Sequence, residues 1–186
     1  MAFWQSSDLE PKRSYRFQLS VAGADNKLEE FLIEKVNKPS FTISESEVKY
    51  LNHTFYYPGR VTWNEISFTI IDVLGQANAT ARIMLMLEGA GYDIPTAADT
   101  STISKRNSQE ALGEVMIHQF RSSGGRPIET WVLNNAWIQE VKFGDLDYGS
   151  EDMQKVDVTL KYDNAYIKLA ASEGGGGGNF PTGQSG

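Results

Sequence analysis

Few residues of this chain could do chemistry: His53 and His118, the acids Asp145, Asp147, Glu151 and Asp152, the pair Met84 and Met86, and the run Gly174 to Gly178. The histidines could bind a metal or carry a proton, but each falls in a different predicted strand. Neither has a second histidine or a carboxylate at helical spacing, so a metal site would have to assemble from distant segments. The acidic cluster has the composition of a calcium-binding loop. It lacks the glycine at the sixth position and the glutamate at the twelfth that such a loop needs, and reads as a charged turn between strands. Met84 and Met86 could be soft metal ligands, although gap-filling core methionines are far commoner. The glycine run cannot cradle a phosphate, because no Lys-Ser/Thr follows it and no strand or helix flanks it.

Other motifs return the same answer. Asn52-His53-Thr54 and Asn78-Ala79-Thr80 match the glycosylation pattern, which counts only in a secreted chain. No nucleophile-elbow motif supports Ser/His/Asp catalysis. With no cysteine in its 186 residues the chain has no disulfides, thiolate catalysis or cysteine-bound zinc. The expectation is a non-enzyme with no catalytic, cofactor-binding or metal residues.

The elements around these residues are mostly strands. Tyr15, Phe17, Leu19 and Val21 alternate with polar neighbours, so Tyr15 to Ala22 predicts a strand with one buried face. A turn at Gly23 to Lys27 and a second strand from Glu29 to Val36 follow, ended by Asn37-Lys38-Pro39-Ser40. Phe41 to Tyr57 reads as a long polar hairpin bent at Leu51-Asn52-His53 and broken at Pro58-Gly59, after which Trp63 to Asp72 resumes as a strand. Ala79, Ile83, Met84 and Leu87 recur at three and four residues, predicting a helix from Gln76 to Leu87 stopped near Gly89 and Gly91. Tyr92 to Ser108 reads as a long surface loop, with a short helix from Asn107 to Leu112. Strands are then predicted at Gly113 to Arg121, Pro127 to Asn134, Ala136 to Phe143 and Met153 to Tyr162, the first two joined as a hairpin through residues 122–126. This organisation is one β domain over residues 1–171 and a flexible glycine-rich tail over 172–186.

Bulk properties narrow the function. A composition 40% hydrophobic and 11% aromatic is that of a globular domain. No apolar run approaches the roughly 20 residues of a spanning helix, and no membrane insertion is expected. The segment MAFWQSSDLEPKRSYRF has no apolar stretch before a cleavage site, so the chain is expected to stay in the cytoplasm where it is made. Seventeen basic residues against 24 acidic ones give a net charge of -7, the wrong sign for gripping a phosphate backbone but suited to letting DNA slide past.

The strand YRFQLSV, the strand EEFLIEKV, a Lys-Pro break, a long hairpin ending in a Gly-Arg turn, the strand WNEISFTIID, one amphipathic helix and the closing stretch DMQKVDVTLKYDNAYIK follow in order. From about Arg13 to Leu169 this resembles the tail tube protein of contractile-tailed, T4-type bacteriophages. The glycine-rich stretch after Ser172 departs from that pattern. The resemblance implies a mainly β fold, two antiparallel sheets forming a sandwich or small barrel with one flanking helix. It implies homo-hexameric rings stacked into a tube inside a contractile sheath, with the inward sheets joined across subunits into one continuous barrel. The implied partners are further copies of the chain, the tail sheath protein, the baseplate and tail-terminator proteins, and genomic DNA that passes without specific binding. The implied location is the virion, after assembly in the host cytoplasm.

The long hairpin, through Ser46, Val48, Tyr50, Asn52, Phe55 and Tyr57, is the expected subunit interface, because exposed strand edges in a monomer are capped by neighbours in a ring. Glu34, Glu45 and Glu47 lie in strands that the resemblance would place near the inner barrel, where they would keep the channel negative; the alternative for them is the outer surface or pairing with Lys35, Lys38 and Lys49. Two other readings stand beside the phage tube. One is a tube or tube-initiating baseplate subunit of another contractile injection system, such as a bacteriocin-like particle or a secreted type VI ring. The other is a monomeric β-sandwich that stacks a ligand or carbohydrate on Trp4, Trp63, Trp131 or Trp137.

Overall fold

Burial with a period of two organises the chain. The computed structural model describes residues 11–23, 28, 30–93, 102–121 and 125–170; Trp4, most of the Gly23 to Lys27 turn, part of the 92–108 loop, the 122–124 link and the glycine-rich tail lie outside them. The strands are β1 (Phe17–Ala22), β2 (Ile33–Val36), β3 (Phe41–Tyr50), β4 (His53–Trp63) and β5 (Ile66–Ile71). Two helices follow, α1 (Ala79–Gly89) and α2 (Lys105–Leu112), and then β6 (Glu114–Phe120), β7 (Pro127–Asn134), β8 (Trp137–Lys142), β9 (Lys155–Lys161) and β10 (Asn164–Leu169).

Two four-stranded antiparallel sheets result, one ordered β1-β6-β7-β10 and the other β2-β5-β9-β8, while β3 and β4 pair only with each other. Along β9 the buried Val156, Val158 and Leu160 alternate with exposed or half-buried neighbours, and β5 does the same with Ile66, Phe68 and Ile70. Across the core stand Leu19, Val21, Val115, Ile117 and Leu133 of the first sheet. Each such side chain contributes roughly 1.5–3 kcal/mol by leaving water. Helix α1 adds Ala79, Ile83 and Met86 to this core, and Leu112 of α2 joins them. Among the described residues neither sheet closes into a barrel.

Several boundaries differ from the sequence expectation. The second strand starts only at Ile33, because Glu30–Leu32 is a 3₁₀ turn and the buried Leu28 and Leu32 follow a four-residue spacing instead of alternation. The strand expected from Trp63 to Asp72 is interrupted at Asn64-Glu65. Pro58-Gly59 does not break the hairpin: β4 runs through it with a shifted register. The short second helix expected from Asn107 to Leu112 starts two residues earlier, at Lys105, because Ser104 caps it, its Oγ accepting from the Asn107 amide at 3.1 Å. The stretch read as one closing strand is two, because residues 162–163 carry the chain from the second sheet to the first.

Helix α1 begins later than its periodicity suggests because two side chains cap it. Asn78 Oδ1 accepts from the Ala81 amide at 2.7 Å, while Asp72 accepts from the Ala79 amide at 2.9 Å and from Thr80 Oγ1 at 2.6 Å. Asp72→Ala is expected to lower stability by about 1–2 kcal/mol, the usual worth of a lost cap. Urea denaturation checks it, and an unchanged midpoint would show that Asn78 caps the helix alone.

Candidate subunit interface

Strands β3 and β4 form a ribbon in which every side chain is exposed except Trp63, which is half-buried. Antiparallel pairing puts directly opposed residues on one face. Val48 stands opposite Phe55, Tyr50 opposite His53 and Ser46 opposite Tyr57, so the outer half of the ribbon has an apolar, aromatic face. Its other face carries Glu45, Glu47 and Lys49, opposite Pro58, Tyr56 and Thr54. Nearer the sandwich the order reverses. Phe41 and Ile43, on the same side of β3 as Glu45 and Glu47, pair with Trp63 and Val61, while Thr42 pairs with Thr62. The apolar stripe therefore crosses from one face to the other along the ribbon.

The crossing coincides with the register shift between Ile43 and Glu45, where β4 carries one residue more than β3. Gly59 permits it: a Cβ there would lie 2.4 Å from Ser44 Oγ, and that same Oγ accepts from the Arg60 amide at 2.9 Å. At the tip Leu51 turns the chain with a left-handed φ of 53° and a fully presented side chain.

The ribbon is held at its foot. Trp63 packs edge-on against Phe41, centroids 5.2 Å apart, and against Tyr162 of the core at 6.0 Å. Asn64 returns two hydrogen bonds to Ser40, from its amide at 2.8 Å and from Nδ2 at 3.1 Å. Just before β3, Lys38 donates to Gln119 at 2.5 Å and to Glu129 at 2.7 Å. Glu129 is only 4% exposed. It also accepts from Lys12 and, at 2.6 Å, from Trp131 Nε1. Burial works against its charge, but the hydrogen bonds from Lys12, Lys38 and Trp131 outweigh that and hold its carboxyl at about 2.

The structure brings Ser46, Val48, Tyr50, Phe55 and Tyr57 onto one ribbon face, with Asn52 in the turn beyond them. It does not bring the three glutamates together. Glu45 and Glu47 share the opposite face, Glu47 lying 3.6 Å from Lys49, whereas Glu34 sits on β2 and pairs with Lys155 at 2.8 Å. His118 on β6 bonds Thr130 at 2.9 Å, far in sequence and sheet from His53 at the ribbon tip. Among the described residues no three His, Cys, Asp or Glu side chains are placed to hold a metal ion. Trp63, Trp131 and Trp137 are half-buried, and the open groove of about 510 Å³ lined by Ser14, Tyr15, Phe17, Glu30, Ile33 and Glu34 contains no tryptophan for a sugar to stack on. Glu129 escaped the sequence reading because its partners lie 117 and 91 residues away.

No protein-family model and no curated protein matches the chain. Solved structures do, and they show the fold, which is shared with chains of contractile injection particles. A chain of the anti-feeding prophage baseplate, solved with 6-fold symmetry imposed, is 16% identical with a TM-score of 0.63, over 87% of this chain and 97% of that one. The anti-feeding prophage tube-terminating cap is 18% identical at 0.63, over 91% and 100%. The sheath/tube terminator of PVC, an extracellular contractile injection system, is 18% identical at 0.63, over 87% and 99%.

Proposed function

We propose that the chain is a structural, non-enzymatic tube subunit of a phage-type contractile particle, forming hexameric rings that stack into a hollow tube within a sheath. The observation that carries this is the ribbon: an ordered two-stranded arm with apolar stripes in water has no role in a monomer and fits a surface completed by neighbours. The fold shared with chains of contractile particles supports the same reading. With Val48, Tyr50, Phe55 and Tyr57 docked on a neighbour, Glu45 and Glu47 on the reverse face turn toward the bore, and the chain's net charge of -7 discourages DNA from adhering as it passes. Sheath, baseplate and terminator proteins are the partners such a tube requires.

A second reading is favoured by the comparisons themselves. Baseplate and cap chains both match at a TM-score of 0.63, which favours a subunit that begins or ends a tube. Electron microscopy of the purified protein separates the two. Stacked rings are expected for a tube subunit, and single rings for an initiator or terminator. A reconstruction must also show Glu45 and Glu47 on the bore wall; a strictly monomeric protein would end both readings.

A further inference from the structure

We propose that the outward face of the β1-β6-β7-β10 sheet, at its Phe120 end, receives an extended acidic segment of a different protein.

The face is the side of that sheet turned away from the core. Leu19, Val115, Ile117, Leu133 and Ala165 point inward, so strand alternation turns their neighbours out. Register lines those neighbours up in rows. Gln18, His118, Thr130 and Lys168 stand side by side, and Ser20, Met116, Val132 and Tyr166 form the next row. Phe120 ends the face, its ring centre 6.4 Å from that of His118. Met116, His118, Phe120 and Tyr166 are all half-buried, so the plateau offers apolar and aromatic surface to a ligand.

Positive charge gathers at the same end. Arg16 lies there because the Phe120 amide donates to its carbonyl at 3.0 Å, and Arg13 because its carbonyl accepts from Gln119 Nε2 at 3.4 Å. Arg121 follows Phe120, and Arg126 precedes Pro127, the residue paired with Phe120. Lys168 completes the set on β10, its Nζ 5.4 Å from the centre of the Tyr166 ring. Arg13, Arg121, Arg126 and Lys168 make no ion pair among the described residues. Glu129, at this end of the sheet, faces inward and is already held by Lys12 and Lys38. Of the acids nearer the outward face, Glu30 accepts from Gln18 Nε2, and Glu114 stands at the far end, opposite Ala22. A chain of net charge -7 thus keeps a positive corner.

Like charges gathered at one end repel one another, and an anionic ligand relieves that repulsion. Carboxylates alternating with apolar side chains would meet the cations at the rim and the aromatic plateau beside them. Four strands at about 4.8 Å spacing make a face roughly 15 Å wide, which about five residues of extended chain cover. Such a segment ends within the corner, whereas a long nucleic acid would run on over a surface of its own sign. The ribbon leaves from the other sheet, between β2 and β5, so the core separates it from this face and both surfaces can be occupied at once.

Fluorescence anisotropy on the unmodified protein tests the face, with a labelled peptide in which glutamate alternates with leucine and a labelled oligothymidine of equal charge as probes. The peptide is expected to bind, the oligothymidine to bind more weakly, and the peptide to be released near 1 M salt, where the screening length is about 3 Å. Arg121→Glu combined with Arg126→Glu, and Lys168→Glu alone, are each expected to weaken the peptide at least about tenfold, while Lys142→Glu on the other sheet changes it by less than about twofold. Should the double variant fail to fold by circular dichroism, Lys168→Glu decides alone. No binding of the peptide, or equal weakening by Lys142→Glu, would overturn the proposal. Oligothymidine bound as tightly as the peptide would overturn it by assigning the face to nucleic acid, and loss of self-assembly on charge reversal would overturn it by assigning the face to a second copy. Peptide binding by a protein that never assembles would keep the face and remove the tube reading.

Discussion

Replacing both Val48 and Phe55 by aspartate is expected to leave a folded subunit that no longer assembles. The two face each other across the ribbon and are 50% and 51% exposed, so the free subunit loses little burial. Two carboxylates placed directly opposite cost about 0.2–1 kcal/mol through repulsion, which stays within the ribbon. At a subunit contact the account differs. Each lost apolar side chain forfeits roughly 1.5–3 kcal/mol, and each new carboxylate would have to leave water unpaired. A loss of about 4 kcal/mol weakens one contact roughly a thousandfold, and a ring repeats the contact at every subunit. Size-exclusion chromatography with light scattering and far-ultraviolet circular dichroism check the two halves together. Intact rings would remove the ribbon from the interface, and an unfolded variant would make it part of the fold.

The second large effect is on stability. Glu129→Gln removes the anionic centre that gathers Lys12, Lys38 and Trp131 Nε1; the lysines left behind are half-exposed and can rehydrate, so the loss is that of the charged hydrogen bonds, about 2 kcal/mol. For a chain of this length that lowers the melting temperature by roughly 4–8 °C. The pH dependence has a definite sign. The carboxyl is held at about 2, below its ordinary 4.5, so its contribution is complete above 4.5 and is lost as pH falls toward 2. The gap between the unmodified protein and the variant should be full at neutral pH and shrink through that window. A gap that stays constant on acidification would show that packing, and not the charge, holds this corner.

What the sequence made legible was local. Strand β7 was read at Pro127 and Asn134, its actual ends, because residues typical of strands are bounded there by turn residues, and β9 because Val156, Val158 and Leu160 alternate with charges. The ribbon was legible as a hairpin with its bend at Leu51-Asn52, and five of the residues expected at an interface, Ser46, Val48, Tyr50, Phe55 and Tyr57, share one face of it. Its continuity through Pro58 was not, since a proline ordinarily ends a strand and is tolerated here only in a ribbon with free edges beside a bulge. The β9–β10 corner was hidden for a different reason. Leu160 and Ala165 are both buried, but in different sheets, and no pattern along the chain marks a change of sheet. In the Glu129 cluster only Trp131, two residues on along the same strand, is at a readable spacing; Lys12 and Lys38 reach the carboxylate only through folding.

The ribbon's isolation from both sheets has an evolutionary consequence. On the proposed reading of the ribbon as the subunit contact, most residues that choose a partner lie where they carry almost none of the subunit's folding energy, and the residues of the core lie where no partner can see them. Selection can therefore rewrite the ribbon, together with whatever surface receives it, without passing through an unstable subunit. Two related particles made in one cell could diverge in this arm alone and cease to co-assemble, each keeping the same sandwich and excluding the other's copies by mismatch at the tip.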